Sequence, residues 1–437
     1  MDHIHHLPDE LLGEITSNFE HDRLSLSRLA LVSQRFRRLA QEFLFRHVDF
    51  VPDTNAQSIN TLNEPPLWRH HRLLQRTFKE TPQLRKCVWS CGPISLEDGD
   101  YDDLRYLAGF RNLKTLLLRS ISGDPDDYSA DGSAHRTKLD GDAVLSLPIL
   151  QQITSLTLHN GPSIGTIASC MLLQSLRDLT VDSVNDYTAS KNRHPVPDRT
   201  GSLRSLRILR SDSRLFRPEE GYGLKTASLC HILSRAPLLE EFRYNLMFNC
   251  TLAGFPPPEF DFSSEGALVA LRPIRNTVRV LQLSLFTLFI SHVTGFFPLD
   301  LSEFEALRHL TINAFFLCEA FKVPQPDRED IYQYMPKHLQ SLQIEFPSQI
   351  GVFYWDGEQD FSFKSNGDYK IPPERFAWLF QFPRQKERAL PNLRRVALLD
   401  GEQPGRRGEL VEWQQPDEVK DAFKAADIEL VVQVNIF

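Results

Sequence analysis

Two periodicities divide the chain. Over residues 7–48 apolar side chains recur every three or four positions. They are Leu11, Leu12, Ile15 and Phe19, then Leu24, Leu26, Leu29 and Ala30, then Phe36, Leu39, Ala40, Phe43 and Leu44. That spacing predicts three short helices, each with one apolar face. Pro8 suits the first turn of the first helix, where its missing N–H costs nothing, and Asp9 and Glu10 complement the helix dipole. Ser33 is the expected N-cap of the third helix. Arg35, Arg37 and Arg38 fall mostly opposite that helix's apolar face. From residue 83 the period changes to apolar-x-x-apolar-x-apolar. This frame recurs at Leu113-Leu116-Leu118, Ile153-Leu156-Leu158, Leu176-Leu179-Val181, Leu203-Leu206-Ile208 and Leu239-Phe242-Tyr244. It continues at Val278-Leu281-Leu283, Leu307-Leu310-Ile312, Leu339-Leu342-Ile344 and Leu393-Val396-Leu398, with a degenerate copy at Leu84-Cys87-Trp89. Alternation within each copy predicts a strand.

The first three helices hold more apolar surface than so short a segment encloses. Units below about 40 residues usually need a metal, disulfides or a partner, and no Cys lies between residues 7 and 48. The surplus must meet the rest of the chain or another protein. The string LPDELLGEI (7–15) with LSRLALVSQRFRRLAQEFLFRHV (26–48) resembles an F-box, especially those of fungal proteins. The matching positions are Leu7, Pro8, Glu10, Leu11, Leu12, Ile15, Leu29, Leu31, Val32, Ser33, Phe36, Leu39, Ala40, Leu44, Phe45 and Val48. The third helix lacks the tryptophan of many animal F-boxes and carries Phe43 and Leu44 instead, as fungal members do. The resemblance implies docking on the Skp-type adaptor of a cullin–RING ubiquitin ligase. Carried over, the adaptor-binding residues are Leu7, Pro8, Leu11, Leu12, Ile15, Leu29, Val32 and Phe36. Burying one such Leu or Ile is worth about 1.5–3 kcal/mol.

The recurring frame is similar to the L-x-x-L-x-L core of leucine-rich repeats, in which each copy supplies a strand and a helical return. The copies are unevenly spaced against the roughly 20–29 residues of regular repeats. Helices at 224–233 and 331–335 account for some long returns. Polar insertions at 122–142, 185–202 and 256–266, and an aromatic, Gly- and Asp-rich one at 347–375, account for others. The expected fold is therefore α/β: a short N-terminal three-helix F-box (1–50), a connecting and capping segment (51–82), and an irregular leucine-rich-repeat solenoid (83–437). Its parallel strands would form the concave face, with helices and loops on the convex one. The F-box and Trp68–Thr81 would cover the first end; a helix at 418–426 and a strand at 428–437 would close the other. Strand alternation turns the residues between the apolar ones outward. The candidate target-binding residues on this face are Arg119, His159, Asp182, Arg207, Arg243, Asn245, His309 and Asn313. Both charge signs occur, so no ligand class is implied.

Composition narrows the function. The 437 residues carry a net charge of −8 with a pI near 6.0, a poor basis for nucleic-acid binding, which needs basic excess. Six scattered cysteines and an acidic, His-rich start (MDHIHHLPDELL), read as lacking a secretory leader, suggest thiols in a reducing compartment, cytoplasmic or nuclear. The 20 uncharged residues between Arg279 and Asp300 are long enough to span a bilayer, but Gln282, Ser284, His292 and Pro298 among them favour a buried strand and loop. Gly161-Pro162-Ser163-Ile164-Gly165 matches the G-x-S-x-G nucleophile elbow. Pro162 stiffens that turn, and no partner His or Asp stands out, so a serine hydrolase using Ser163 is only a remote alternative. Cys87 and Cys91 lack a second pair for zinc, the histidines at 3, 5 and 6 suit a frayed terminus, and the acceptor Asn249-Cys250-Thr251 has no secretory context. No metal, cofactor or catalytic chemistry of the chain's own is expected. The reading is a non-enzymatic substrate-recognition subunit of an SCF-type ligase, with an interaction scaffold outside ubiquitin transfer as the alternative.

Overall fold

The structure is a computed structural model describing residues 7–48, 74, 76–96, 107–120, 147–159, 162–182, 184, 201–209, 224, 226–248, 263–287, 298–318, 328, 330–347, 351–353, 371–401 and 409–436. It divides into two compact units: Met1–Gly161 with Leu173–Asp178, and Pro162–Leu172 with Leu179–Phe437.

The first unit opens with α1 (Asp9–Ser17), α2 (Arg23–Val32) and α3 (Gln34–Leu44). Ser33 caps α3 as expected, its Oγ accepting from the Phe36 N–H at 3.2 Å. Asp22 caps α2, accepting from the Ser25 N–H at 3.0 Å and the Ser25 hydroxyl at 2.6 Å. Each cap satisfies a backbone N–H that no helical carbonyl can reach. The chain then enters a parallel sheet in the order β1 (His47–Val48), β2 (Ser90–Leu96), β3 (Thr115–Ser120) and β4 (Ser155–His159). The residues closing the helical module thus form the first strand. Before each new strand, one carbonyl accepts two successive N–H groups: Arg46 from Trp89 and Ser90, Trp89 from Lys114 and Thr115, Lys114 from Thr154 and Ser155. Phe78 is buried between Phe45 and Phe110, with edge-on ring contacts at 5.8 and 4.9 Å.

The degenerate copy at Leu84-Cys87-Trp89 is in the wrong frame. Trp89 is 47% exposed, whereas Val88, Cys91 and Ile94 are buried, and Cys91 and Ile94 pair with Leu116 and Leu118. The cause is a bulge at Gly92, which inserts one extra residue between the two inward positions. Its φ is +140°, and a Cβ there would stand 2.6 Å from Leu117, so only glycine fits.

The second unit holds β5 (Asp178–Asp182), β6 (Ser205–Leu209), β7 (Glu241–Phe248), β8 (Val280–Thr287), β9 (His309–Asn313), β10 (Ser341–Phe346) and β11 (Arg395–Asp400). Past β11 comes β13 (Glu429–Ile436), parallel to it, and then β12 (Glu409–Glu412), antiparallel. From β6 to β11 neighbouring strands pair in parallel, and the aligned residues are the apolar ones of successive copies: Leu206 with Phe242, Phe242 with Leu281, Leu281 with Leu310, Leu310 with Leu342, Leu342 with Val396. Every one is at most 1% exposed. The doubly accepting carbonyl recurs at Arg204, Glu240, Arg279, Arg308 and Gln340. Between the strands run α4 (Ile164–Cys170), α5 (Thr226–Leu233), α6 (Ser264–Leu271), α7 (Pro373–Phe376), α8 (Gln381–Gln385) and α9 (Asp417–Ala425). The helices bury Ile167, Leu229, Ile232, Ala267, Leu271, Val419 and Phe423.

The helix expected at 224–233 begins at Thr226, and the one at 331–335 is a 3-10 turn, Ile331–Tyr334. Of the uncharged run after Arg279, Val280–Thr287 is β8, and residues 288–297 lie outside the described residues. Among the described residues, no helix is long and apolar enough to cross a membrane. The insertion at 122–142 lies outside the described residues, as do nearly all of 185–202 and most of 347–375. Where the last of these leaves β10, a buried polar clamp holds the chain. Arg328 lies over the Phe346 and Trp378 rings at 5.1 and 5.5 Å and donates to the carbonyls of Gly351, at 2.8 Å, and Val352. Asp400 accepts from the N–H groups of Val352, at 2.7 Å, and Asn435, at 3.1 Å. Burial pushes the Asp400 carboxyl up to about 6 and Arg328 down to about 10.

Candidate functional site

The N-terminal module fills its own small core and still leaves apolar side chains over. Leu12, Phe36 and Leu39 pack together with the partly buried Leu7 and Leu29 at their edge, and Leu26 and Ala40 are fully enclosed. Outside this core, Leu11 is 46% exposed, Ile15 44%, Leu31 78% and Val32 64%; Phe19 and Leu24 are exposed as well. Leu11, Ile15 and Phe19 follow one another at four-residue steps along α1 and just past its end. Leu24, Leu31 and Val32 share the outer side of α2, at i, i+7 and i+8.

Ionic contacts hold α1 against α3. Asp9 receives the side chains of Arg35 and Arg38, and Arg35 also donates to the Leu7 carbonyl. The Arg35 hydrogen bond chiefly holds the Asp9 carboxyl below its usual range, against a smaller opposing desolvation, and Arg38 adds to it. Beyond α3, Arg46 pairs with Glu20 at 2.8 Å and lies over the rings of Phe43 and Trp89 at 5.3 and 5.2 Å, linking the helices to the start of β2. The Arg46 hydrogen bond likewise lowers Glu20.

Two residues expected on the docking surface are not free to dock. Leu12, 1% exposed, and Phe36, 8% exposed, form the interior that holds α1 to α3. Adjacent apolar residues on a short helix face different ways, and the tertiary packing selected Leu12 over Leu11. Pro8 is exposed at the N-cap position of α1, one residue ahead of the expected place. Phe19 and Leu24, expected on the helix faces, and Leu31, an F-box match, lie outside the expected docking set although all three are exposed; the seven-residue step from Leu24 to Leu31, with Arg28 between them on the same face, is the signal for them.

The strand residues are distributed between the two units. In the first, Arg119 pairs in register with the half-buried His159, though the Arg119 side chain lies outside the described residues. In the second, Asp182 is half-buried on β5, and Arg207 and Arg243 stand in register on β6 and β7. Both arginines meet Glu241: Arg207 Nε donates to its Oε1 at 3.0 Å and Arg243 Nε to the same oxygen at 2.6 Å. Asn245 accepts from Gln282 Nε2 at 3.3 Å, and Gln282 also reaches Ser284 at 2.9 Å. His309 is exposed on β9. Asn313 is a correction: it is 2% exposed, and its Oδ1 accepts from the Phe315 N–H at 3.1 Å, capping the 3-10 turn Ala314–Phe316. An asparagine where a strand turns into a helical return serves as a cap.

Ser163 has a structural position. It caps α4, accepting from the Thr166 N–H at 3.1 Å and sharing a 2.9 Å contact with the Thr166 hydroxyl; Gly161 lies outside the described residues. A strand-to-helix turn closed by serine satisfies both the elbow motif and a helix N-cap, and here the cap accounts for it. Cys87, Cys91, Cys170, Cys230 and Cys318 are free thiols, and burial pushes Cys170 up to about 12. The histidines at 3, 5 and 6 and the acceptor at Asn249 lie outside the described residues. Among the described residues, no group of three His, Cys, Asp or Glu is placed to hold a metal.

No curated protein matches the chain. Residues 4–51 match the F-box-like family, and the three helices with their uncovered apolar face are its F-box-like domain.

Proposed function

We propose that the chain is a substrate-recognition subunit of an SCF-type cullin–RING ubiquitin ligase. Its F-box-like domain points to an adaptor-type role in such complexes, and the observation that carries the reading is the apolar face of α1 and α2. A module with its core already filled by Leu12, Leu26, Phe36, Leu39 and Ala40 keeps Leu11, Ile15, Leu31 and Val32 in water, which is costly unless a second polypeptide covers them. In this reading Leu7, Pro8, Leu11, Ile15, Leu29 and Val32 meet the Skp-type adaptor. The strands that follow act as an irregular leucine-rich-repeat solenoid, whose strand residues, Arg119, His159, Asp182, Arg207, Arg243, Asn245 and His309 among them, hold a target protein in the cytoplasm or nucleus. In-register parallel strands with wholly buried Leu, Ile and Val, each entered through the same doubly accepting carbonyl, support the repeat reading.

The subunit's catalytic contribution is placement: holding a target beside the transferring subunits raises its effective concentration. Affinity capture with the full chain and with residues 1–50 removed tests the reading. The full chain is expected to retain adaptor, cullin and target, and the truncated chain to retain target alone. Adaptor retained by the truncated chain, or a target whose level does not rise when the protein is deleted, would overturn it.

A further inference from the structure

Arg207 and Arg243 are an unusual pair to find side by side. They face each other in register across β6 and β7, and like charges directly opposite on a sheet face oppose pairing. One carboxylate holds them together. Both guanidiniums converge on Oε1 of Glu241, which is only 21% exposed, while the arginines remain 43% and 40% exposed. Glu241 is the most buried of the three, Arg207 also reaches it through Nη2 at 3.0 Å, and both arginine side chains keep about two fifths of their surface in solvent. Two arginines and one glutamate leave a single net positive charge, already gathered on one carboxylate before any ligand arrives.

The surroundings give the pair a direction. On one side β5 contributes Asp182, a half-buried carboxylate with interactions of its own, which repels a second anion. On the other side Asn245, Gln282 and Ser284 form a neutral polar row across β7 and β8. Gln282 spends its Nε2 within that row. Its Oε1 and the Asn245 amide N–H groups are without a partner among the described residues, and they match the N–H and C=O groups of an extended backbone.

We propose that Arg207 and Arg243 are a carboxylate-binding fork for an unmodified Asp or Glu side chain, in an extended target segment that continues over Asn245 and Gln282. The proposal rests on the reading of this sheet face as target-binding. Arginine presents paired donors that fit a carboxylate, and the single excess charge balances one carboxylate, where a phosphate dianion would stay half-neutralised.

The probe is an array of short unphosphorylated peptides with one Asp or Glu in varied contexts, beside their Asn or Gln counterparts and phosphoserine counterparts. It is read with the full chain. Acidic peptides are expected to bind and to weaken by about tenfold or more on replacing the acid with its amide, or on Arg207→Glu with Arg243→Glu. Glu241→Gln keeps both arginines and adds a unit of charge, so preference is expected to move toward the phosphoserine peptides. No peptide bound, equal binding of acids and amides, retention of phosphopeptides alone by the unmodified protein, or no shift with Glu241→Gln would each overturn the fork. Adaptor capture by the same preparations is a separate readout. Peptide binding with failed adaptor capture removes the ligase reading and leaves the fork standing; the reverse removes the fork alone.

Discussion

Leu11 and Ile15 give the docking surface a quantitative test. They are 46% and 44% exposed, so roughly half of each side chain remains for a partner to cover. Full burial of such a side chain is worth about 1.5–3 kcal/mol, which puts the remaining half near 0.7–1.5 kcal/mol apiece. Leu11→Ala with Ile15→Ala is therefore expected to cost about 1.5–3 kcal/mol of adaptor affinity, roughly tenfold to hundredfold. Leu11→Asp with Ile15→Asp adds the cost of burying two charges and is expected to abolish capture. Isothermal titration of purified adaptor into each variant measures the effect, with thermal melting in parallel. Neither side chain belongs to the Leu12, Phe36 and Leu39 core, so melting should hardly move, whereas Leu12→Ala should cost about 2–5 kcal/mol of the module's stability. Unchanged affinity in the Asp variant would refute the assignment of this face. So would an affinity loss that appears only together with a lowered melting temperature.

Two further outcomes follow from the folded chain. Ser33→Ala removes the oxygen that caps α3 and should cost about 1 kcal/mol, read as a lowered melting temperature of the N-terminal module; an unchanged value would deny the cap its role. Asp400 titrates near 6 in the folded chain against an ordinary 3.8. Folding therefore favours its protonated form, and the stability linked to that proton is fully present below about 3.8 and is lost as pH rises through about 6. The span amounts to about 3 kcal/mol. Asp400→Asn removes the titration and should flatten the melting profile between those pH values; parallel profiles for the two proteins would contradict the buried carboxyl's raised value.

The apolar spacing alone determined a good deal. Helical steps in residues 9–44 placed three helices and the Ser33 cap, because a cap and an amphipathic face are local properties of a few neighbouring residues. The apolar-x-x-apolar-x-apolar frame located the strands, since burial at every second position is written into the strand's own geometry. Tertiary structure decided the rest. Which of Leu11 and Leu12 turns inward depends on where Phe36 and Leu39 lie in space, and periodicity within α1 does not contain that information. The frame of the first strand turned on a bulge at Gly92 and its close approach to Leu117 on the neighbouring strand. Asn313 left the expected outward set because the chain bends immediately after it and needs a cap, and Arg207 and Arg243 came together only through the pairing of strands 34 residues apart between Arg207 and Glu241. Local pattern sets which elements form; long-range packing and pairing set which of their side chains remain for another molecule.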